Sequence, residues 1–275
     1  MIDGRPDATG HASPSTMEVG GVPIAFRHRA GTETDASGIA WLGGWRSDML
    51  GGKAEALDTL CAERGWAFLR HDYSGHGESG GEIVEGSISR WTDESLAVLD
   101  AERPEGRTLL AGSSMGAWIA LRMANELRAR GQGERLAGLL LIAPAPDFVT
   151  RLMEPRLTDE ARNDLGSKGY WAEPSDYSNE PNVWTEAFME DGRASAVLTA
   201  PLSLGVPVHI VQGTADAEVP LSHAELLLTH LPADEATMTV VQGGDHRLSR
   251  DEDLALLERV ATRMIEGLSS AGDAA

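Results

Sequence analysis

The sequence predicts an α/β protein, with a mainly parallel central sheet flanked by helices and a small lid insertion. Short β-branched or apolar runs alternate with longer segments of helical period, as strand–helix–strand units require. The apolar runs are strand-sized, and none approaches the roughly 18 residues of a membrane span. The rhythm breaks once, between Phe148 and about Pro201, where Pro155, Pro174, Pro181, Trp171 and Trp184 fall among short helical pieces.

In chain order, the region around Met17 to Gly20 and the run Val22 to Arg29 read as an opening hairpin. A strand follows over Gly38 to Leu42. A helix from about Lys53 to Arg64 places Leu57, Leu60 and Cys61 on one face, with Gly65 as its stop. Trp66 to Arg70 is the next strand, and a helix from near Ser89 sets Trp91, Val98 and Leu99 on one side. Thr108 to Ala111 reads as a buried strand. Met115 to Arg130 is apolar nearly all round in its first half, which suits a helix buried on the sheet, and Gly131 closes it. Leu136 to Ala143, Val206 to Val211 and Thr237 to Val241 continue the sheet. The last helix has a capping-box start, Ser249 with Glu252, and an inward stripe of Leu254, Leu257, Ala261 and Met264. The expected organisation is a tail over 1–16, core over 17–147, lid over 148–201, core over 202–266 and a tail over 267–275.

A chain of 275 residues buries roughly three quarters of its unfolded surface. With 41% hydrophobic and 24% charged residues it lacks the signature of disorder. Lys and Arg number 23 against 43 Asp and Glu, a net charge of −20 that repels nucleic-acid backbones and anionic lipid headgroups. Cys61 stands alone and forms no internal disulfide. The first twenty residues carry no basic segment followed by an apolar run, so the expected location is cytoplasmic. No HExxH or comparable spacing occurs, and neither a metal nor another cofactor is expected. Nothing in the sequence specifies an oligomeric state.

Gly112-Ser113-Ser114-Met115-Gly116 is a GxSxG, and only Ser114 has glycine on both sides at two residues' distance. The string alone is weak support, but TLLA runs directly into it and AWIALRMA runs out of it. A strand, sharp turn and helix in that order hold a serine in strained geometry with its Oγ exposed. A serine hydroxyl needs a base, and the base needs a third group to fix its tautomer. Asp216, in HIVQGTADAEVP, lies just beyond a strand. His246, in VVQGGDHRLS, sits between the last strand and the last helix. Glu218 competes with Asp216 as the acid. Asp245 adjoins His246 but points elsewhere. His223 and His230 read as surface or core residues of a helix.

Two backbone amides must receive the oxyanion. Met115 supplies one by position, and Trp45, after the Gly43-Gly44 turn, is the candidate for the other; an ordinary Gly-Gly turn is the bland alternative. Trp45, Trp171 and Trp184, with Met115 and Phe188, are candidates for an apolar acyl pocket, the alternative being core packing. Gly75 to Gly80 matches GxGxxG, but GEIVEGS intervenes where a dinucleotide site needs its helix to open, and Glu78 stands where bare amides belong.

With these residues placed, the chain resembles the α/β-hydrolase superfamily. Over roughly Gly38 to Ile265 it is similar to the group of abhydrolase domain-containing protein ten, described as acyl-protein thioesterases and acyl-glucuronide esterases. SDMLGGKA, HDYSGHGES, GSSMGAW, GYWAEPSDYS, GTADAEVP and GGDHRLS carry the likeness. The resemblance implies Ser114 as nucleophile, Asp216 as acid and His246 as base. The chain departs from many relatives in having Gly43-Gly44 where they have His-Gly. It also lacks an Arg-rich, acid-poor leader, so a mitochondrial location does not carry over. The expected function is a serine hydrolase acting on acyl thioesters or carboxylic esters, with a small molecule or an acyl-protein as substrate. The alternatives are a general carboxylesterase or lipase-like enzyme of small esters, a non-catalytic hydrolase-like binding protein, and, least favoured, a nucleotide-binding module.

Overall fold

The computed structural model describes residues 13–32, 37–103, 105–174 and 181–272, the last five by their backbone alone. Residues 1–12 and 273–275 of the expected tails lie outside the described residues.

An eight-stranded sheet forms the centre, in the order β1 (Ser15–Val19), β2 (Val22–Arg29), β4 (Ala67–His71), β3 (Gly38–Leu42), β5 (Thr108–Ser113), β6 (Leu136–Ile142), β9 (Val208–Gly213) and β10 (Ala236–Val241). β1 pairs antiparallel with β2, and β2 antiparallel with β4; every pair from β4 to β10 is parallel. The expected opening hairpin therefore forms, although β1 begins at Ser15, inside the segment read as a tail.

Side chains alternate across the sheet with the two-residue period of a strand, so each strand serves two cores. Ile39, Trp41, Leu109 and Ala111 point into one, closed by α1 (Gly52–Arg64) and α7 (Asp251–Gly272). Ala40, Leu42 and Leu110 point into the other, closed by α2 (Ile88–Glu102) and α3 (Met115–Ala129). β3, β5 and β6 are buried along their whole length, as their mainly apolar sequences require, with Thr108 and Ser113 at the two ends of β5 the polar exceptions. Trp91 and Trp118 are fully buried in the second core, each with its indole N–H satisfied by a backbone carbonyl, that of Ser74 or Ser195.

The expected insertion packs over the second core. It holds a π-helical turn (Val149–Met153), a 3₁₀ turn (Glu154–Arg156), α4 (Asp159–Lys168), a hairpin of β7 (Tyr170–Glu173) and β8 (Asn182–Thr185), and α5 (Glu186–Ala194). Buried Asp147 anchors its far end by accepting the amides of Val197 at 2.7 Å and Leu198 at 2.8 Å. Asp191 of α5 accepts the Ser89 amide at 3.0 Å in the first turn of α2, tying insertion to core.

The last two helices are α6 (Leu221–Thr229) and α7. α7 departs from its sequence reading at both ends. Its first turn is closed by Asp253, which reaches back to the Arg250 amide, while Ser249 donates instead to the Arg247 carbonyl. The box is thus one residue later than Ser249/Glu252, because Asp253 is buried and takes the Arg250 amide as well as its guanidinium, whereas Glu252 is exposed and meets only the guanidinium. The buried stripe is Leu257, Val260, Ala261 and Ile265, with Leu254 and Met264 only half-buried beside it. The helix continues to Gly272, past the expected boundary at 267.

Candidate active site

The loops that leave the C-terminal ends of β3, β5, β9 and β10 converge at one edge of the parallel sheet, where open α/β sheets place their ligands. Each loop carries one of the residues singled out from the sequence.

β5 turns into α3 at Ser114, whose φ of 55° and ψ of −117° are strained for a residue with a side chain. The flanking glycines are required by contact. A Cβ on Gly112 would lie 2.4 Å from the Gly116 carbonyl oxygen, and one on Gly116 would lie 2.1 Å from that of Leu42. Strand, helix and the turn after β3 therefore approach as closely as backbones allow. The Ser114 amide is held by the Ile142 carbonyl at 2.9 Å.

The Ser114 hydroxyl lies 3.0 Å from His246 Nε2, and His246 Nδ1 lies 2.9 Å from Asp216 Oδ2. Asp216 arrives from the loop after β9 and His246 from the loop after β10, so residues 132 and 30 positions apart meet. With Nδ1–H donating to the carboxylate, Nε2 carries the lone pair that faces the serine. The Asp216 side chain is fully buried and accepts four hydrogen bonds. Oδ1 takes the amides of Glu218 at 3.0 Å and Val219 at 2.8 Å; Oδ2 takes His246 Nδ1 and, at 3.0 Å, Gln212 Nε2. Burial pushes its pKa up, but the histidine, the Val219 amide and the Gln212 amide together hold it below the usual carboxylate value.

Glu218 also reaches the imidazole, but on the other nitrogen: its carboxylate is 3.6 Å from Nε2, on the serine side. Asp245 is occupied by the Leu248 amide at 3.0 Å. His223 is buried with its Nε2 on the Pro146 carbonyl, and His230 is half-buried against the Leu226 carbonyl, so each ring is engaged by backbone and not by the Ser114 hydroxyl. No group of three ligating side chains suited to a metal ion occurs among the described residues, and no described helix is long and apolar enough to cross a membrane.

Gly44 lies against the serine, its pro-Cβ position 3.5 Å from the Ser114 Cβ, so the turn before Trp45 is adjacent to the hydroxyl. Met115 is the first residue of α3, where the helix leaves an amide without an intrahelical acceptor. The Trp45 indole stacks on Trp184 at 4.3 Å between centroids and meets Trp91 and Phe188 edge-on; its N–H donates to Asn182 at 3.1 Å. The ring cluster beside the turn is thus built by Trp45, Trp184, Phe188 and Trp91. Trp171 stands opposite Trp184 in the β7–β8 register and packs, half-buried, on the core beside it.

Three residues that bear on the site escaped the sequence reading. Gln212 is one, a polar residue in the buried strand VHIVQG. Tyr73 donates to the Gly43 carbonyl at 3.1 Å and so pins the turn before Trp45. Asp72 is buried and accepts the amides of Met49 at 2.7 Å and Glu78 at 2.8 Å. The GxGxxG string serves this carboxylate: a Cβ on Gly77 would sit 2.1 Å from Asp72 Oδ2, and Glu78 pairs with Arg27. Burial drives the Asp72 carboxyl up to about 6 and holds the nearby His71 and His76 at about 4. The readable signal was a polar tract, HDYSGHGES, directly after a buried strand.

Residues 36–259 match the model of the alpha/beta hydrolase family. The chain is 30% identical over 234 residues to palmitoyl-protein thioesterase ABHD10, mitochondrial, of Rattus norvegicus, covering 85% of this chain and 76% of that protein. Among solved structures, an Agrobacterium vitis S4 protein superposes with a TM-score of 0.88 at 49% identity, over 92% of this chain and 97% of that one. Mouse alpha/beta hydrolase domain-containing protein 10 superposes with a TM-score of 0.81 at 30% identity, over 94% and 100%.

Proposed function

Because the chain belongs to the alpha/beta hydrolase family, we propose that it is a serine hydrolase cleaving acyl thioesters or carboxylic esters through an acyl-enzyme. The observation that carries this reading is one imidazole within hydrogen-bond reach of both a serine hydroxyl on a strained turn and a buried carboxylate. Ser114 Oγ attacks the acyl carbonyl while His246 Nε2 takes its proton. Asp216 keeps the Nδ1–H tautomer in place and stabilises the imidazolium that forms. The amides of Met115 and Trp45 receive the oxyanion. His246 then returns its proton to the departing thiol or alcohol. Water, deprotonated by the same nitrogen, attacks the acyl-serine, and His246 passes that proton to the departing Ser114 Oγ as the carboxylic acid is released.

The relatives bearing the name palmitoyl-protein thioesterase support a fatty acyl thioester, including an acylated protein, as the substrate class. The apolar wall of Trp45, Trp184 and Phe188 beside the serine suits an alkyl chain, with Trp171 extending it. The deciding experiment combines Ser114→Ala with a matched series of oxygen and sulfur esters of rising chain length. Ser114→Ala loses about 10⁶ in kcat and all labelling by a fluorophosphonate probe. Turnover within tenfold of the unaltered chain refutes the nucleophile. Efficient turnover restricted to short oxygen esters points instead to a general carboxylesterase.

A further inference from the structure

We infer that Gln212 is a positioning residue for the triad acid, its side-chain amide fixing the Asp216 carboxylate against His246; this rests on the serine-hydrolase reading above. Gln212 is the fifth residue of β9 and is fully buried. Its Nε2 donates to Asp216 Oδ2 and to the Val219 carbonyl, both at 3.0 Å. Its Oε1 is buried with no hydrogen-bond partner.

That orphan oxygen is the informative feature. Turning the amide over would set Oε1 against a carboxylate oxygen and a carbonyl, so only the donor face can point at Asp216. The strand tolerates an unpaired buried carbonyl as a consequence of that orientation, although such a group is expensive and an apolar side chain would avoid it. Val208, Ile210 and Val211 in the same strand show that apolar residues fit here. A residue kept only for packing would not be an amide.

The same carboxylate oxygen takes both Gln212 Nε2 and His246 Nδ1, while Oδ1 is held by two backbone amides. On Oδ2 the only other donor is the imidazole that the carboxylate has to orient, so without Gln212 nothing independent of His246 fixes that oxygen. Gln212 approaches Oδ2 from the strand and fixes it. The charged or titratable groups facing the pair are His246, from the loop after β10, and Glu218, near Nε2.

The test compares Gln212→Met and Gln212→Glu with the unaltered chain on one neutral p-nitrophenyl ester, reading kcat, KM, thermal stability and fluorophosphonate labelling. Gln212→Met removes donor and orphan oxygen together. It is expected to lower kcat by about 10- to 100-fold, the value of a hydrogen bond to a charged group, with KM within twofold and Tm unchanged or raised. In Gln212→Glu only the protonated carboxyl can donate to Oδ2, so the ratio of its kcat to that of the unaltered chain rises as pH is lowered. A kcat for Gln212→Met within twofold, a loss that merely follows a fall in Tm, or a pH-independent ratio for Gln212→Glu overturns the assignment. Should Gln212→Met fail to fold, the ratio for Gln212→Glu decides alone. Absence of a Ser114 adduct in the unaltered chain overturns the hydrolase reading as well; normal labelling with indifferent Gln212 variants overturns this inference alone.

Discussion

Replacing Asp216 by Asn tests the arrangement most sharply, because the structure dictates what the new amide must do. The carboxylate accepts two donors on each oxygen: the Glu218 and Val219 amides on Oδ1, and His246 Nδ1 and Gln212 Nε2 on Oδ2. Asparagine offers one carbonyl oxygen and one NH₂. Turning the NH₂ towards Oδ1's partners opposes two backbone N–H groups that cannot change tautomer. Turning it towards Oδ2's partners opposes only Gln212, because His246 relieves its own clash by moving its proton from Nδ1 to Nε2. One fewer unmade buried bond favours the second orientation by about 1–3 kcal/mol, so it predominates. In that state Nε2–H faces Ser114 Oγ and cannot accept its proton. The loss expected is about 10⁴ in kcat, or ~5.5 kcal/mol of barrier, the size known where an aspartate-to-asparagine change imposes the wrong tautomer on a triad histidine. The assay is steady-state hydrolysis of a neutral p-nitrophenyl ester, with the rate of fluorophosphonate labelling and the Tm measured beside it. A kcat within tenfold of the unaltered chain, in folded protein, would show that Asp216 does not set the tautomer.

Glu218→Gln is the companion control: its carboxylate faces Nε2 rather than Nδ1, so kcat on the same ester stays within about fivefold, and a loss approaching that of Asp216→Asn would reassign the acid. Gly116→Ala brings a Cβ to 2.1 Å from the Leu42 carbonyl oxygen and 2.5 Å from that of Gly43, so α3 and the turn after β3, proposed to supply the two oxyanion amides, must part. Stability falls by about 1–3 kcal/mol in urea unfolding, and displacement of one oxyanion donor lowers kcat by at least about 10². The pH dependence of stability has a sign fixed by three buried groups. His71 and His76, held at about 4, stay neutral in the folded chain while the unfolded chain protonates near 6.5, so stability is lost as pH falls through that window. Asp72, raised to about 6, takes up its proton in the folded chain first and returns part of the loss. Between pH 7 and 5 the three give a net loss on the order of 2 kcal/mol by urea unfolding, and Asp72→Asn deepens that difference to about 4 kcal/mol. A smaller pH dependence in Asp72→Asn would contradict the assigned burial.

Local pattern carried the fold class a long way. The alternation of apolar runs with helical segments located every strand of the main sheet to within two residues: the central strands, buried on both faces, are largely apolar, and the half-exposed β10 shows in its alternation of threonine with apolar residues. The GxSxG was legible for a related reason: its glycines answer to contacts within a few residues or across one turn, and Gly112 and Gly116 are needed wherever strand, serine and helix meet so closely. The cap of α7 lies one residue beyond the Ser249/Glu252 pattern, since choosing between Ser249 and Arg250 depends on Asp253 being buried, which is a fact of packing.

The sequence by itself determined the ordered strands and helices, the strained serine turn, and the short set of acids and histidines from which partners could come. Tertiary structure alone decided that Asp216 meets Nδ1 while Glu218 meets Nε2, that Trp184 rather than Trp171 stacks on Trp45, and that Gln212 aims its donor at the carboxylate. Periodicity and turn chemistry act over a few residues and are written into neighbouring letters. Which side chains meet across 30 or 132 positions depends on strand order, register and loop direction, quantities that exist only once the sheet has closed.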